Sequence, residues 1–313
     1  MWIYLLRRLL ATIPVMLIVA IIVFMMLRLT PGDPASIIAG DAATTEDIAQ
    51  LRESLGLDRS IFIQFGIWIG NLLTGDLGQS FYYKRDVAGL IAERVEPTVA
   101  LAICTIVLAC AVAVPLGTLA AYRQGSWIDR LLMGFSVVGF SVPVFVIGYV
   151  LVYIFAVRLD WFPVQGYQSL SEGFGGFIYR LILPSVALSV LFIALIARMT
   201  RTSVLEVLNE DYVRTARAKG LTELRVLVRH ALRNAAVPVV TVIGIAIAVL
   251  IGGVVVTESV FAIPGLGSLT VDAVLGRDYP TVQAVILLFS FTYVLINLAI
   301  DLTYTVLDPR IRY

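Results

Sequence analysis

The polar residues whose spacing could do chemistry lie in one stretch, residues 206–238, between two long apolar segments. Within it Arg225, Arg229 and Arg233 recur every four residues, so a helix would align them as a basic ridge. A ridge of guanidinium groups suits the binding of phosphates or of an acidic partner surface. On the same helix, apolar residues recur at i, i+3 and i+7 from Leu221 to Ala235, which predicts a separate packing face. The chemistry indicated is therefore binding.

Two short helices would position these residues. The sequence predicts one helix over Asp211 to Ala218 and a second from Leu221, with Gly220 between them because glycine tolerates a positive φ. Such a basic, amphipathic pair could rest on lipid, with its arginines at the lipid phosphates. It could equally be a docking surface for a soluble partner. The residues alone leave both interpretations open.

Composition places this module at a membrane. The chain has 313 residues, of which 59% are hydrophobic and 14% charged, with a mean hydropathy of +0.94. Several apolar runs of about 20 residues are long enough to cross a bilayer. The sequence thus predicts an all-α, polytopic membrane bundle of about six transmembrane helices. The net charge of +1 gives no reason to expect nucleic acid as a partner.

The apolar runs divide the chain into three regions. Residues 1–29 form a basic head and the first span. Residues 30–96 form an extracytoplasmic helical insertion, with helices expected from Thr44 to near Gly56, over Ile61 to Leu73 in the outer interface, and from Asp86 to Pro97. Residues 97–313 form a core of five further spans with a cytoplasmic loop at 198–238. Those spans are expected at about 98–121, 131–157 with a kink at Pro143, 181–197, 239–256 and 282–306.

Charge predicts the orientation. With both termini inside, the inner segments carry more Lys and Arg than Asp and Glu, and the outer segments carry the reverse. This asymmetry follows the positive-inside rule and places the loop 198–238 in the cytoplasm.

The sequence lacks the motifs of an enzyme. It contains no GxxxxGK[ST], HExxH or GxSxG pattern, and His230 is its only histidine. Cys104 and Cys110 are six residues apart in one apolar run, so a helix would not face them toward each other for a disulfide or a metal. Asp301 is the clearest ionisable residue near a span, at its inner end, where an interfacial contact explains it. We expect no catalysis, no metal and no bound cofactor.

The cytoplasmic loop resembles the signature loop of ABC-transporter permeases of the dipeptide/oligopeptide (peptide/nickel) importer family. In that branch the loop reads like EDYVRTARAKGL followed by HALRNA and a proline, as at Glu210 to Leu221, His230 to Ala235 and Pro238. Of the general E-A-A…G form found in importer permeases, only Ala216, Gly220 and Leu232 match. Further landmarks occur in the family's order: an LPGDP-like stretch at 30–34, GDLG at 75–78, E-x-x-F-x-x-PGLG at 258–267, RDYP at 277–280 and a DPRIRY end.

The resemblance implies the fold of a type I ABC importer permease in the bacterial cytoplasmic membrane. It implies a homologous second permease subunit, two cytoplasmic ATPases that use ATP, and an extracytoplasmic substrate-binding protein. The helix before Gly220 would be the coupling helix in the ATPase cleft, and Leu224, Leu227, Val228 and Ala231 would pack the module on the bundle. The coupling residues would be Asp211, Tyr212, Arg214, Thr215, Ala216, Arg217, Lys219, Gly220, Leu224, Leu232 and Arg233. Ser141, Pro143 and Thr257 are candidates for the substrate path, and residues 258–280 for an outer gate or a contact with the binding protein.

Other functions remain open. Peptides are the expected substrate, with glutathione and nickel complexes as alternatives in the same branch. An ion-coupled secondary carrier would take up substrate in response to a proton or sodium gradient and would ignore ATP depletion. A membrane scaffold or receptor would bind partners without any flux.

Overall fold

The computed structural model describes residues 2–29, 35–36, 44–54 and 56–307. Within these ranges the regular elements are helices, and β pairing is limited to one isolated antiparallel bridge between Gln79 and Asp86. Counted over the same residues, four helices are long and apolar enough to cross a membrane, and a broken helix pair adds a fifth. The apolar part described in the first helix, Leu10–Met26, is shorter. The predicted all-α membrane bundle is confirmed.

The helices follow one another along the chain as α1 (Trp2–Leu29), α2 (Thr45–Ser54), α3 (Ile61–Leu73), α4 (Val87–Tyr122), α5 (Trp127–Ser141), α6 (Val144–Leu151, continued as a π-helix over Val152–Arg158), α7 (Phe174–Leu208), α8 (Asp211–Ala218), α9 (Glu223–Arg225, continued as a π-helix over Val226–Leu232), α10 (Ala236–Phe261), α11 (Leu266–Leu275) and α12 (Tyr279–Leu307). They form two compact units, one of Met1–Arg94 with Leu269–Val294 and the other of Val95–Ser268 with Leu295–Tyr313.

The first unit is built on an aromatic contact between α1 and α3. The ring of Phe24 lies 5.0 Å from that of Phe65 and 5.5 Å from that of Trp68. Apolar residues of α12, including Leu287, complete the cluster. The bounds of α3 agree with the predicted interfacial helix, and its outward residues are strongly exposed, as Phe62 is by 85%. Exposed apolar side chains on such a helix suit a position in the membrane interface.

The second unit is organised around α7. Its residues Ala187, Leu188 and Ala197 are fully buried, and α4, α5, α6 and α10 supply the rest of the same core. Small residues permit the close packing: a Cβ at Gly117 of α4 would lie 2.5 Å from the carbonyl oxygen of Ala197. Close approach at small residues is a common means of helix association in membranes, where no hydrophobic effect drives helices together.

The expected third span is two helices rather than one kinked helix. α5 and the α6 segment are bent by 103° at their break. Val142 there is extended, with φ −95° and ψ 122°, because the ring of Pro143 disfavours the α conformation of the residue before it. The kink predicted at Pro143 has the right position, but it is a full break between two helices.

Two other helix ends differ from prediction. The short helix expected to end at Pro97 is the first part of α4, which continues through that proline to Tyr122. A proline costs a helix one hydrogen bond, and buried residues that follow it, such as Leu101 and Ala109, keep α4 packed in the core. The fourth span also continues past Arg198 to Leu208, so the charged loop begins ten residues later than its composition indicates.

Candidate functional site

The charged loop after α7 contains a small helical module with its own core. α8 has the predicted bounds, and Gly220 adopts a φ of 82° after it, with its N–H donating to the carbonyl of Arg217 at 2.9 Å. Val213 and Ala216 are buried against Val226 of the following helix. The predicted helix, glycine turn and helix are confirmed. The buried pair fixes which face of α8 points outward.

The outward face of α8 and its turn is polar and charged. Arg217 forms an ion pair with Glu223 at 3.0 Å, and Arg214 forms one with Asp211 at 3.4 Å. The hydroxyl of Tyr212 accepts a hydrogen bond from Asn234 at 3.0 Å. The predicted coupling residues that are exposed on this module are Asp211, Tyr212, Arg214, Thr215, Arg217, Lys219, Gly220, Leu224 and Arg233, whereas Ala216 is buried and Leu232 half-buried.

The expected packing face of α9 is correct only in part. Ala231 is fully buried, as expected, but Leu224 and Val228 are 72% and 56% exposed, and Val226, which was not predicted, is fully buried. The prediction assumed 3.6 residues per turn, but Val226–Leu232 is a π-helix, in which hydrogen bonds join residues five apart. Val226 and Ala231 are five apart and therefore share the buried face. Leu224 and Val228 become an exposed apolar patch beside the basic side chains of Arg225 and Arg229.

An ion pair ties the α4–α5 turn to the extension of α7 that leads into the module. Arg201 donates through Nε and Nη2 to the two oxygens of Asp129, whose side chain is only 6% exposed. The N–H of Gly125 also donates to Asp129. This bidentate pair was missed from the sequence because its partners are 72 residues apart.

A second network, within the same unit, surrounds the buried carboxylate of Glu258 near the end of α10. Glu258 accepts from the hydroxyl of Thr98 at 2.5 Å and from the N–H of Ser268 at 2.9 Å. The hydroxyl of Thr98 in turn accepts from the N–H of Leu266 at 2.8 Å. The carboxylate thus joins α4, α10 and the first turn of α11, where N–H groups lack helical partners.

The glycines of the PGLG motif make room for this carboxylate. A Cβ at Gly265 would lie 2.1 Å from a Glu258 oxygen, and one at Gly267 would lie 2.5 Å from the Cα of Val255. Both glycines therefore serve close packing around the carboxylate and the backbone of α10. In the sequence, the available signal was a glycine at 265, shortly after Glu258, because glycine allows a side chain to approach its backbone closely.

A third network holds the loop between α6 and α7. Glu96 accepts from the N–H of Leu170 at 3.0 Å and from the hydroxyls of Ser169 and Tyr167 at 2.8 and 3.0 Å. Together with the hydrogen bond from Tyr179 to the carbonyl of Trp161, these bonds fix a glycine- and aromatic-rich loop.

The residues predicted for a substrate path lie at two places in the second unit. Ser141 is the last residue of α5 and Pro143 precedes α6, so both lie at the broken span. Thr257 is 1% exposed, and its hydroxyl donates to the carbonyl of Gly253 at 3.1 Å. Their role on a path stays a prediction.

The carboxylates in the remaining sequence landmarks accept hydrogen bonds that hold the first unit together. Asp76 of GDLG accepts from the N–H of Gly78, and the buried carboxylate of Asp278 in RDYP accepts from Ser80, Phe81 and Thr281. The LPGDP-like stretch and the DPRIRY end lie outside the described residues. Across the described part of the chain, no cluster of three or more His, Cys, Asp or Glu side chains could hold a metal ion.

Comparison with protein families matches nearly the whole chain. Residues 113–313 match the model of the binding-protein-dependent transport system inner membrane component, and residues 1–102 match the model of the N-terminal part of such membrane components. A probable peptide ABC transporter permease protein of Sinorhizobium fredii is 53% identical over all of both chains. A putative peptide transport system permease protein of Brucella abortus is 46% identical over 98% of each chain, and a glutathione transport system permease protein of Salmonella typhimurium is 45% identical over 99% of each.

A solved structure has the same fold. The chain resembles an inward-facing conformation of the MetNI methionine ABC transporter, with a TM-score of 0.58 and 20% identity over 70% of this chain and 96% of that one. At this identity the likeness concerns the fold of the membrane bundle.

Proposed function

The chain belongs to the family of binding-protein-dependent transport system inner membrane components, an integral inner-membrane family, and from that premise we propose that it passes peptides through the membrane as one subunit of an ATP-driven importer. The names of its relatives support peptide as the substrate, with glutathione as the second candidate because one relative transports it. The chain itself would bind no cofactor, and separate subunits would hydrolyse ATP.

The observation that carries the proposal is the outward face of the module at α8. Its inner face is filled by Val213 and Ala216, so the exposed charged side chains and the Gly220 turn are free to meet a protein groove. A short helix with one side anchored and the other exposed is suited to insertion into such a groove. We propose that this face docks in the cleft of a cytoplasmic ATPase, one ATPase for each of two homologous permease subunits.

Movement of the ATPases would reach the bundle through rigid contacts. The module is continuous with α7, which the Asp129–Arg201 pair ties to the α4–α5 turn and which packs at Gly117 of α4. A pull on α8 would therefore move the inner ends of α4, α5 and α7 together. Alternating access by rigid-body rocking requires this kind of connection.

The orientation in this proposal has both termini in the cytoplasm, as the positive-inside rule favours. The loop around Tyr167–Leu170 and the Glu258 network would then face outward, toward a substrate-binding protein. Ser141, Pro143 and Thr257 are proposed as residues of the path.

Purification of the tagged chain from native membranes in mild detergent, with mass spectrometry of the proteins recovered, tests the assembly. Two nucleotide-binding ATPases and a second permease should be recovered with it. Uptake of a labelled dipeptide should then be competed by other peptides and abolished by ATP depletion. Recovery of the chain alone, together with uptake driven by a proton or sodium gradient, would contradict the proposal and favour a secondary carrier.

A further inference from the structure

The first unit contains a cavity of about 220 Å³ between the spanning helices α1 and α12 and the interfacial helix α3. Its walls are mostly apolar and include Trp68, Leu72 and Leu287. Two charged residues, Arg28 and Asp76, also line it. A concave apolar site with a few convergent polar groups is the usual form of a small-molecule site.

Hydrogen bonds fix the guanidinium group of Arg28, and they use only some of its N–H groups. Its Nε and Nη2 donate to the side-chain oxygen of Gln64 at 3.1 and 2.7 Å, and its Nη1 donates to the carbonyl of Phe24 at 3.1 Å. Gln64 is itself oriented, because its amide nitrogen donates to the carbonyls of Leu57 and Arg59. These bonds use three of the five guanidinium N–H groups and leave two for a ligand.

The two charges of the cavity are not paired with each other. Among the described residues, neither Arg28 nor Asp76 has an opposite charge within 4.0 Å. Asp76 uses one carboxylate oxygen to accept from the N–H of Gly78 at 2.9 Å. One oriented cation and one separate anion in the same cavity complement a zwitterion.

The surroundings favour a zwitterion that belongs to the membrane. Arg28 follows directly on the apolar stretch Leu10–Met26 of α1, and α3 exposes Phe62 and Ile63 by 85% and 51%. Both features place the cavity at the depth of lipid headgroups. Arginine binds phosphate oxygens through charge-assisted hydrogen bonds, and a carboxylate binds a primary ammonium group.

We propose that this cavity binds the headgroup of a phosphatidylethanolamine-type phospholipid, with the phosphate at Arg28 and the ammonium group at Asp76. The site is separate from the module that docks an ATPase, and its occupancy does not depend on the transported substrate.

Titration of the purified full-length chain with short-chain phospholipids, read out as a shift in thermal unfolding, tests this site. Dihexanoyl phosphatidylethanolamine should bind more tightly than the phosphatidylglycerol and phosphatidylcholine of the same chain length, which lack a primary ammonium group. Arg28→Gln should weaken binding of both phosphatidylethanolamine and phosphatidylglycerol by about tenfold. The matched control Arg158→Gln, which removes an arginine outside this cavity, should change neither.

Asp76→Asn keeps the proposal testable if Arg28→Gln does not fold. Asp76 is exposed, and asparagine retains the oxygen that accepts from Gly78. This variant should bind phosphatidylethanolamine and phosphatidylglycerol equally, since it removes only the partner of the ammonium group. An unchanged preference in Asp76→Asn would overturn the proposal. Equal stabilisation by free phosphoethanolamine would also overturn it, by assigning the cavity to a soluble zwitterion.

Discussion

At the scale of single residues, three carboxylates hold the loops of the second unit. Glu258, Glu96 and Asp129 each accept at least three hydrogen bonds or belong to a bonded chain of groups. Glu258 and Asp129 are buried, and a buried carboxylate is stable only with such partners, because an unpaired charge is costly to desolvate. The glycines around them are therefore part of the same sites.

A substitution at Gly265 tests the close packing around the carboxylate of Glu258. Gly265→Ala should lower the free energy of unfolding by about 1–3 kcal/mol, because the added methyl group would overlap the carboxylate that it now adjoins. Thermal unfolding in detergent measures the change. Gly252→Ala is the matched control: it lies in α10 with no atom near the added Cβ, and should be neutral or slightly stabilising. Equal stability of the two variants would show that Gly265 is not needed for the close packing around Glu258.

A substitution at Glu96 tests how the loop between α6 and α7 is held. At pH 7, Glu96→Gln should speed hydrogen exchange at the amide of Leu170, because a neutral amide oxygen accepts that hydrogen bond less strongly than a carboxylate does.

Glu93→Gln is the control for this measurement. Glu93 is paired with Arg85 and does not contact the loop. Exchange at Leu170 should therefore stay at the wild-type rate in this variant. A wild-type rate in Glu96→Gln at pH 7 would instead count against the carboxylate as the fastener of the loop.

At the scale of elements, the helical register of α9 is the feature that matters most for docking. Val226→Ser should destabilise the module by about 2–3 kcal/mol, because it places a hydroxyl in a fully buried position. Val228→Ser, two residues away and 56% exposed, should change stability by less than about 0.5 kcal/mol. Limited proteolysis of the loop measures both. Greater sensitivity of the Val228 variant would support an ordinary α-helical register.

The same element shows what sequence patterns can and cannot predict. The ends of α3 and α8 and the turn at Gly220 follow from amphipathic spacing and glycine chemistry, and all three were predicted correctly. The buried face of α9 was predicted only in part, because a π-helical segment leaves no mark in an i, i+3, i+4 pattern. The break at Val142 was underestimated as a kink, although Pro143 signalled its position. Contacts between distant residues, such as Asp129 with Arg201, have no local pattern.

At the scale of the whole molecule, the class of the protein was evident from composition and from the order of its landmarks. Apolar runs predicted the bundle, and the loop sequence predicted the family. The chemistry of the candidate coupling site was readable because it is concentrated in one contiguous stretch. The three carboxylate networks and the Arg28 cavity depend on residues far apart in sequence, and only the fold brings each set together.

The central claim is that α8 and its glycine turn couple ATP hydrolysis to transport. Gly220 has a φ of 82° with open space around it, and Gly75, in the turn after α3, has a φ of 85°, also with open space. An aspartate at either position meets the same kind of backbone strain. The two substitutions therefore differ in whether they alter the face proposed to dock.

The most direct test is ATP-dependent peptide uptake in proteoliposomes containing the assembled importer with either Gly220→Asp or Gly75→Asp. We expect Gly220→Asp to reduce uptake by roughly tenfold or more while the chain remains folded and inserted, because a coupling of a few kcal/mol is lost. Gly75→Asp lies outside the module and should stay close to the wild type. Wild-type uptake by the Gly220 variant, or an equal loss in both variants, would contradict the coupling role of α8.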